Sequence, residues 1–218
     1  MHGRNGRQID TTADISAPSL RPAAARLRAL GALTFFRARD AADRGVDSRA
    51  LRRLVDEGAV ERLGRGLYRR ADTEITRHHT HGAVSARVPG AIICLLTALH
   101  IHDIGTQLPA QVWIAIPHKA RTPRVPSLPI RIVRFSGAAL RYGVEDADFE
   151  GVPGRITSPA RTIVDCFRLR RLVGLDVALE AIRDALVDRK TTPSEILRAA
   201  EACRALSLVR PVLHTLLA

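Results

Sequence analysis

Between residues 23 and 72 the apolar positions follow two different periods. In "VDSRALRRLVDEG" Leu51, Leu54 and Val55 recur at i, i+3 and i+4, which sets three side chains on one face of an α-helix. Asp47 or Ser48 suits the N-cap of that helix, and Gly58 suits its stop. Upstream, "PAAARLRALG" predicts a first helix with Leu27 and Leu30 on one side, ended by Gly31. "LTFFRARDAADRG" predicts a short extended piece and a second helix, stopped at Gly45. After the third helix the pattern changes. "VERLGRGLYRR", residues 60–70, reads as two short strands folded over a Gly64-Arg65-Gly66 tip. Three helices followed by a two-stranded wing is the element order of a winged helix-turn-helix.

Beyond residue 72, "TEITRHHTHGAVSARV" predicts a linker running into a helix, broken at Pro89-Gly90. "AIICLLTALHIHDIG" begins strand-like and turns helical by about Thr97. "VWIAIP" and "IRIVRFS" are β-rich runs separated by the loop "HKARTPRVPSLP", and "ADFEGVPGRITS" resembles a hairpin. Ser158-Pro159 then combines a cap with proline at the first helical position, and four helical segments follow: "ARTIVDCFRL", "LDVALEAIRDALVD", "PSEILRAAEAC" and "LVRPVLHTLL". The expected fold class is α+β: an N-terminal winged helix-turn-helix over 23–72, then a C-terminal domain over 73–218 with a small β-sheet and a helical C-terminal part. Residues 1–22 are polar and expected to form a disordered arm.

Charge narrows the function. Thirty-four basic against 22 acidic residues give a net charge of +12, the balance expected of a protein that meets polyanions. Only Lys119 and Lys190 are lysines, so part of the arginine load reflects an arginine- and alanine-rich composition. Cys94, Cys166 and Cys203 are far apart in apolar settings and read as buried thiols in a reducing compartment. The longest apolar stretch falls far short of the roughly 18 residues of a membrane span. The N-terminus lacks the apolar core of a signal peptide. A cytoplasmic protein with no membrane contact is expected.

The helix at 48–57 carries its chemistry on the polar side. With the leucines inward, Ser48, Arg49, Arg52, Arg53 and Asp56 face out, and guanidinium forks there can reach guanine O6 and N7 or phosphate oxygens. Alone, this reads first as a solvated face closed by an Arg52–Asp56 pair. The wing shifts the balance toward DNA. Arg65 stands between two glycines with Arg62, Arg69 and Arg70 around it, and such a tip lies against a minor groove or sugar-phosphate backbone. Aromatics are 4% of the chain, and Tyr68 alone falls among these residues, against stacking-based recognition of single strands or RNA.

Further along, Lys119, Arg121, Arg124, Arg131 and Arg134 form an acid-free stretch in "PHKARTPRVPSLPIRIVR". It suits a second phosphate-contacting patch, a docking site for an acidic partner, or a solvated loop whose charges guard an edge strand. His78, His79 and His81 lack zinc-ligand spacing and read as a surface cluster in the linker. Asp188 and Lys190 form the Asp-x-Lys of a metal-dependent nuclease, but they close an Ala- and Leu-rich helix, where a lysine already suits the dipole. No Walker loop, dinucleotide-binding loop or GxSxG elbow occurs, so neither an enzyme nor a cofactor or metal is expected. A nuclease or other hydrolase that docks DNA through the wing is the alternative.

The ordered series "SRALRRLVDEGAVERLGRGLYRR", "GAIICLLTALHIHDIGTQLPAQVWIAIP", "IRIVRFSGAAL" and "GVPGRITSPARTIVDCFRLRRLVGLDVALEAIRDAL" resembles the AbiE-type antitoxins of type IV toxin–antitoxin systems in bacterial abortive infection, over roughly residues 25–200. The resemblance implies a repressor that autoregulates its operon at inverted repeats, as a monomer or weak dimer that pairs on double-stranded DNA. It also implies a C-terminal domain tied to antitoxicity, with a nucleotidyltransferase-like toxin as partner. By motif position it carries DNA contact to Arg49, Arg52, Arg53, Arg62 and Arg65. In the second domain it implies packing roles for Leu175, Val177, Leu179 and Ile182.

Overall fold

A computed structural model describes residues 20–31, 33–64, 66–72, 79–125 and 128–218. The N-terminal arm, except Leu20 to Pro22, lies outside them, as do Arg65 and His78. The first elements are α1 (Leu20–Leu30), β1 (Phe35–Arg37), α2 (Ala38–Ala42), α3 (Ser48–Asp56), β2 (Val60–Gly64) and β3 (Leu67–Arg70). Leu30, Leu51 and Leu54, the helical leucines of the sequence pattern, are buried in one cluster with Phe36, Ala41, Val46 and Val60. The expected two-stranded hairpin gains a third strand. β1 pairs antiparallel with β3, so the sheet order is β1-β3-β2. Phe35 and Phe36 are both buried, which explains why so short a strand is held in place.

Downstream come α4 (His79–Arg87), β4 (Ile92–Ile93), α5 (Leu95–Ile101), β5 (Val112–Pro117), β6 (Ile130–Phe135), β7 (Val144–Phe149) and β8 (Val152–Thr157). Their five-stranded sheet has the order β6-β5-β4-β8-β7. β5–β6 and β4–β8 run parallel, whereas β4–β5 and β7–β8 run antiparallel. Both faces of the sheet are covered, which is why "VWIAIP" is a continuous apolar run rather than an alternating one. Trp113 and Ala115 enter the larger cluster, and Val112 and Ile114 pack on the opposite side with Val84, Val88 and Ala98.

The chain closes with α6 (Pro159–Arg168), α7 (Arg170–Val173), α8 (Leu175–Val187), α9 (Pro193–Ala202) and α10 (Leu206–Leu217). Ser158 caps α6 with Pro159 in its first turn, as expected, and Thr192 and Glu195 form a reciprocal capping box on α9. Val177 and Ile182 are buried, but Leu175 is 50% exposed. Its packing role is corrected: it is the first residue of α8, ahead of the turn that meets the core. The three cysteines are buried and unbridged. Burial pushes the thiols of all three upward, which keeps them protonated and inert.

The two sheets meet along a seam where Phe35 of β1 packs on Ala83 of α4 and Val152 of β8. A Cβ on Gly82 would stand 2.7 Å from the Phe149 carbonyl oxygen and 3.1 Å from the Phe35 ring, so glycine lets α4 approach both sheets. The expected surface cluster of histidines is corrected here. His79 and His81 lie within α4, and His81 is buried edge-on against Phe149. The His79 ring packs 5.0 Å from Phe35, with Nδ1 3.3 Å from Glu150 Oε2. They serve the seam. The apolar neighbours that bury them come from β1 and β7, far away in sequence.

Candidate nucleic-acid interface

Asp47, not Ser48, caps α3: its carboxylate accepts from the Ala50 N–H at 2.7 Å. That leaves the exposed Ser48 hydroxyl at the start of the helix free of capping duty. Arg49, Arg52 and Arg53 are all exposed. Arg39, Arg69, Arg70, Arg161 and Arg168 form ion pairs, and none of these pairs reaches the arginines of α3. Arg52 does not close onto Asp56. The guanidinium forks of α3 therefore stand in water with their donors uncommitted, on a helix fixed by its buried leucines.

The hairpin brings a further arginine to the same place. A cleft of about 390 Å³ between α3 and the β2–β3 hairpin is lined by Ser48, Arg52, Val55, Asp56, Arg62 and Tyr68. Arg62 is exposed and its Nε reaches only the Gly64 carbonyl, at 3.4 Å. Tyr68 pairs opposite Arg62 across the hairpin and stacks on Phe36 at 5.9 Å, tying the hairpin to the helical core. The ladder slips between Arg62 and Gly64, so the tip departs from regular pairing just ahead of Arg65.

Arg69 and Arg70 behave differently from their neighbours. Arg69 faces Glu61 across the strands and bonds its carboxylate at 2.7 Å. Arg70 pairs with Asp72 at 2.7 Å and also donates to the Gly31 carbonyl. Both guanidiniums are largely covered, so their visible work is to hold β3 against β2 and the end of α1. The acidic partners at 61 and 72 were the sequence signal for this.

The basic stretch at 119–134 also divides. Lys119, Arg121 and Arg124 are exposed. Arg131 lies over the Trp113 ring with its Cζ 4.3 Å from the centroid. Arg134 donates to the carbonyls of His118 and Ala120 at 2.7 and 2.8 Å and to Thr122 Oγ1 at 2.9 Å. It thus holds the start of the loop onto β6. The Asp188–Lys190 pair closes α8 in the open, with the Lys190 N–H bonded to the Ala185 carbonyl. Among the described residues, no group of three or more His, Cys, Asp and Glu is placed to hold a metal.

One charged constellation was missed in the sequence. Arg161 is 0% exposed inside α6. Its Nε bonds Asp165 Oδ2 at 2.9 Å, its Nη1 the Tyr142 carbonyl at 2.6 Å, and its Nη2 the Ala139 carbonyl at 2.9 Å. Arg168 reaches the other oxygen of Asp165 at 2.6 Å. Burial raises the Asp165 carboxyl above its ordinary range, against the opposing pull of Arg161 and Arg168. The signal for this network was a helix with Ile163, Val164, Cys166 and Phe167 around an i,i+4 charge pair.

An exposed basic helix is thus followed at once by a basic hairpin. Residues 24–71 match the AbiEi antitoxin family of transcriptional regulators. The resemblance carried by "SRALRRLVDEGAVERLGRGLYRR" is borne out there, across α1 to β3 of the AbiEi-matching segment. No curated protein matches the chain. The crystal structure of the RV2827C protein from Mycobacterium tuberculosis is similar, with a TM-score of 0.56 and 14% identity, covering 89% of this chain and 80% of that one. At that identity the likeness is one of fold, and it supports the α+β class. Among the described residues, no helix is long and apolar enough to cross a membrane.

Proposed function

We propose that the protein is a sequence-specific, DNA-binding transcriptional repressor of the AbiEi type, acting as the antitoxin of a type IV toxin–antitoxin system. In this reading residues 23–72 are a winged helix-turn-helix, α3 is the recognition helix and β2–β3 is the wing. Arg49, Arg52 and Arg53 offer forks to base edges and phosphates, and Arg62 and Arg65 meet the backbone. Residues 73–218 form the antitoxin-type domain. The protein works in the cytoplasm, autoregulates its operon at inverted repeats, and has a nucleotidyltransferase-like toxin as partner. The single observation that carries this is the exposed arginines of α3, of which Arg52 lines a cleft shared with Arg62, within the segment that matches the regulators.

The test is binding to duplex DNA from the region upstream of the gene, measured against salt. Each neutralised phosphate adds about 0.9 to the slope of log affinity on log salt. Affinity should fall steeply from low to moderate salt, the upstream duplex should outcompete a scrambled one, and the duplex should stay intact in Mg²⁺. Binding that ignores salt, or cleavage of the duplex, overturns the reading.

A further inference from the structure

β6 is the last strand on one side of the five-stranded sheet, and contact through α3 and the hairpin makes no use of it. The Val112 N–H donates to the Pro129 carbonyl at 2.7 Å and the His118 N–H to the Phe135 carbonyl at 2.8 Å. Between those bonds β5 and β6 pair in parallel, Val112 with Ile130 through Pro117 with Phe135. Backbone groups along a strand turn alternately to one side and the other, so Arg131, Val133 and Phe135 serve β5. The N–H and C=O of Ile130, Ile132 and Arg134 therefore point away from the sheet. Among the described residues, no hydrogen bond reaches those groups. The described residues of the 118–129 loop pack on one face of β6 rather than along its edge: Val125 and Leu128 join the cluster that holds Ile130 and Ile132.

Cations flank the edge on both faces. Arg131 lies over Trp113, and Arg134 stands on the opposite face of the strand. Lys119, Arg121 and Arg124 are exposed in the adjoining loop. Among the described residues, none of these five makes an ion pair. A second copy of β6 would set like charges opposite one another, which disfavours self-pairing. The other edge strand, β7, carries exposed Glu145, Asp146 and Asp148. A β6–β7 contact between copies is head-to-tail, however, and grows without end unless its rotation closes a ring. The net charge of +12 also opposes contact between copies and favours an acidic partner.

We propose that β6 takes an acidic, extended segment of a partner protein as an added strand of this sheet. Main-chain bonds to Ile130, Ile132 and Arg134 supply affinity, and the flanking cations select acidic side chains. The inference goes beyond the repressor reading and does not depend on DNA binding, since α3 and the hairpin take no part in it.

A fluorescent synthetic peptide alternating Glu and Val, titrated onto the full-length protein, tests it by anisotropy. An added strand turns only every second residue to its neighbour. Methylating one set of alternate peptide amides should therefore abolish binding, and methylating the other should spare it. Exchange of the Ile130, Ile132 and Arg134 amides, followed by NMR, should slow by about tenfold or more at saturation. Ile132→Pro removes one outward N–H without touching the bonds to β5 and should lose the peptide. Should that variant fail to fold by circular dichroism, the methylated peptides still decide on the unchanged protein. Arg131→Glu should lose the Glu peptide and gain a Lys–Val one, with binding to the upstream duplex unaltered. If both methylated peptides bind like the parent, contact is by side chains alone and the added strand is refuted. If no peptide binds while the upstream duplex does, the strand falls and the repressor reading stands. Concentration-dependent polymers in sedimentation that Arg131→Glu dissolves would assign the edge to another copy and refute the acidic partner.

Discussion

α3 and α6 each carry an arginine four residues ahead of an aspartate, Arg52 with Asp56 and Arg161 with Asp165. In α6 the pair is sealed in the core, its charges met by two carbonyls and by Arg168. In α3 the pair is left open in water. The same local spacing thus yields a structural clamp in one helix and a set of available donors in the other. The i,i+4 geometry only permits contact; desolvation decides whether the contact must be made. An exposed pair gains a few tenths of a kcal/mol and loses side-chain entropy, so it stays open at little cost. A buried arginine without partners would cost several kcal/mol, and each of the three guanidinium nitrogens of Arg161 is bonded.

The largest effect should come from breaking the buried side of this comparison. Arg161→Ala or Asp165→Ala leaves a charge stranded in the core and should destabilise the fold by about 3–5 kcal/mol. Arg52→Ala should stay within about 0.5 kcal/mol of wild type. Denaturant unfolding followed through Trp113, the single and buried tryptophan, measures both. Equal losses at the two positions would undo the distinction. Replacing both charges, with Arg161→Met and Asp165→Leu together, should recover much of the stability that either single change to alanine loses.

A smaller effect, on function alone, is expected of the exposed helix. Arg53→Ala or Arg49→Ala should cost about 1–3 kcal/mol on the upstream duplex wherever the arginine reads a base, with unfolding unchanged. Competition with scrambled DNA sharpens this, since a loss confined to the upstream sequence marks base contact and a uniform loss marks phosphate contact.

The smallest effect concerns acid. A hydrogen bond from Arg70 holds the Asp72 carboxyl below its usual range. A carboxylate whose folded value is depressed adds stability above its unfolded value, near 4, and loses it as pH falls through the folded value. Asp72→Asn should flatten the acid limb of the stability curve slightly and leave neutral DNA binding unchanged. Thermal melts between pH 2 and 6 would show it.

These tests bear on which features were readable in one dimension. The helical leucines at 51 and 54, the paired strands of the β2–β3 hairpin, the β-rich runs at 112 and 130, and the caps at Ser158 and Thr192 are local devices. Each acts on neighbours within a turn or a hairpin, so its consequence is visible in a short window. The outward arginines of α3 were legible for the same reason, because an amphipathic helix assigns its faces by period alone.

What only the tertiary structure decided involves partners far apart in the chain. β1 joined the hairpin because its phenylalanines found the helical cluster on one side and α4 on the other. His79 and His81 became seam residues through Phe35, Phe149 and Glu150. Arg161 became a clamp because Tyr142 and Ala139 bring carbonyls to it, and Arg37, Arg87 and Arg124 share a cleft because three separate segments meet beside the β2–β3 hairpin. A charged residue's local sequence shows which face it starts from. Whether that face ends in water, against a carbonyl, or beside another arginine depends on long-range packing, which sets the dielectric and supplies the partner.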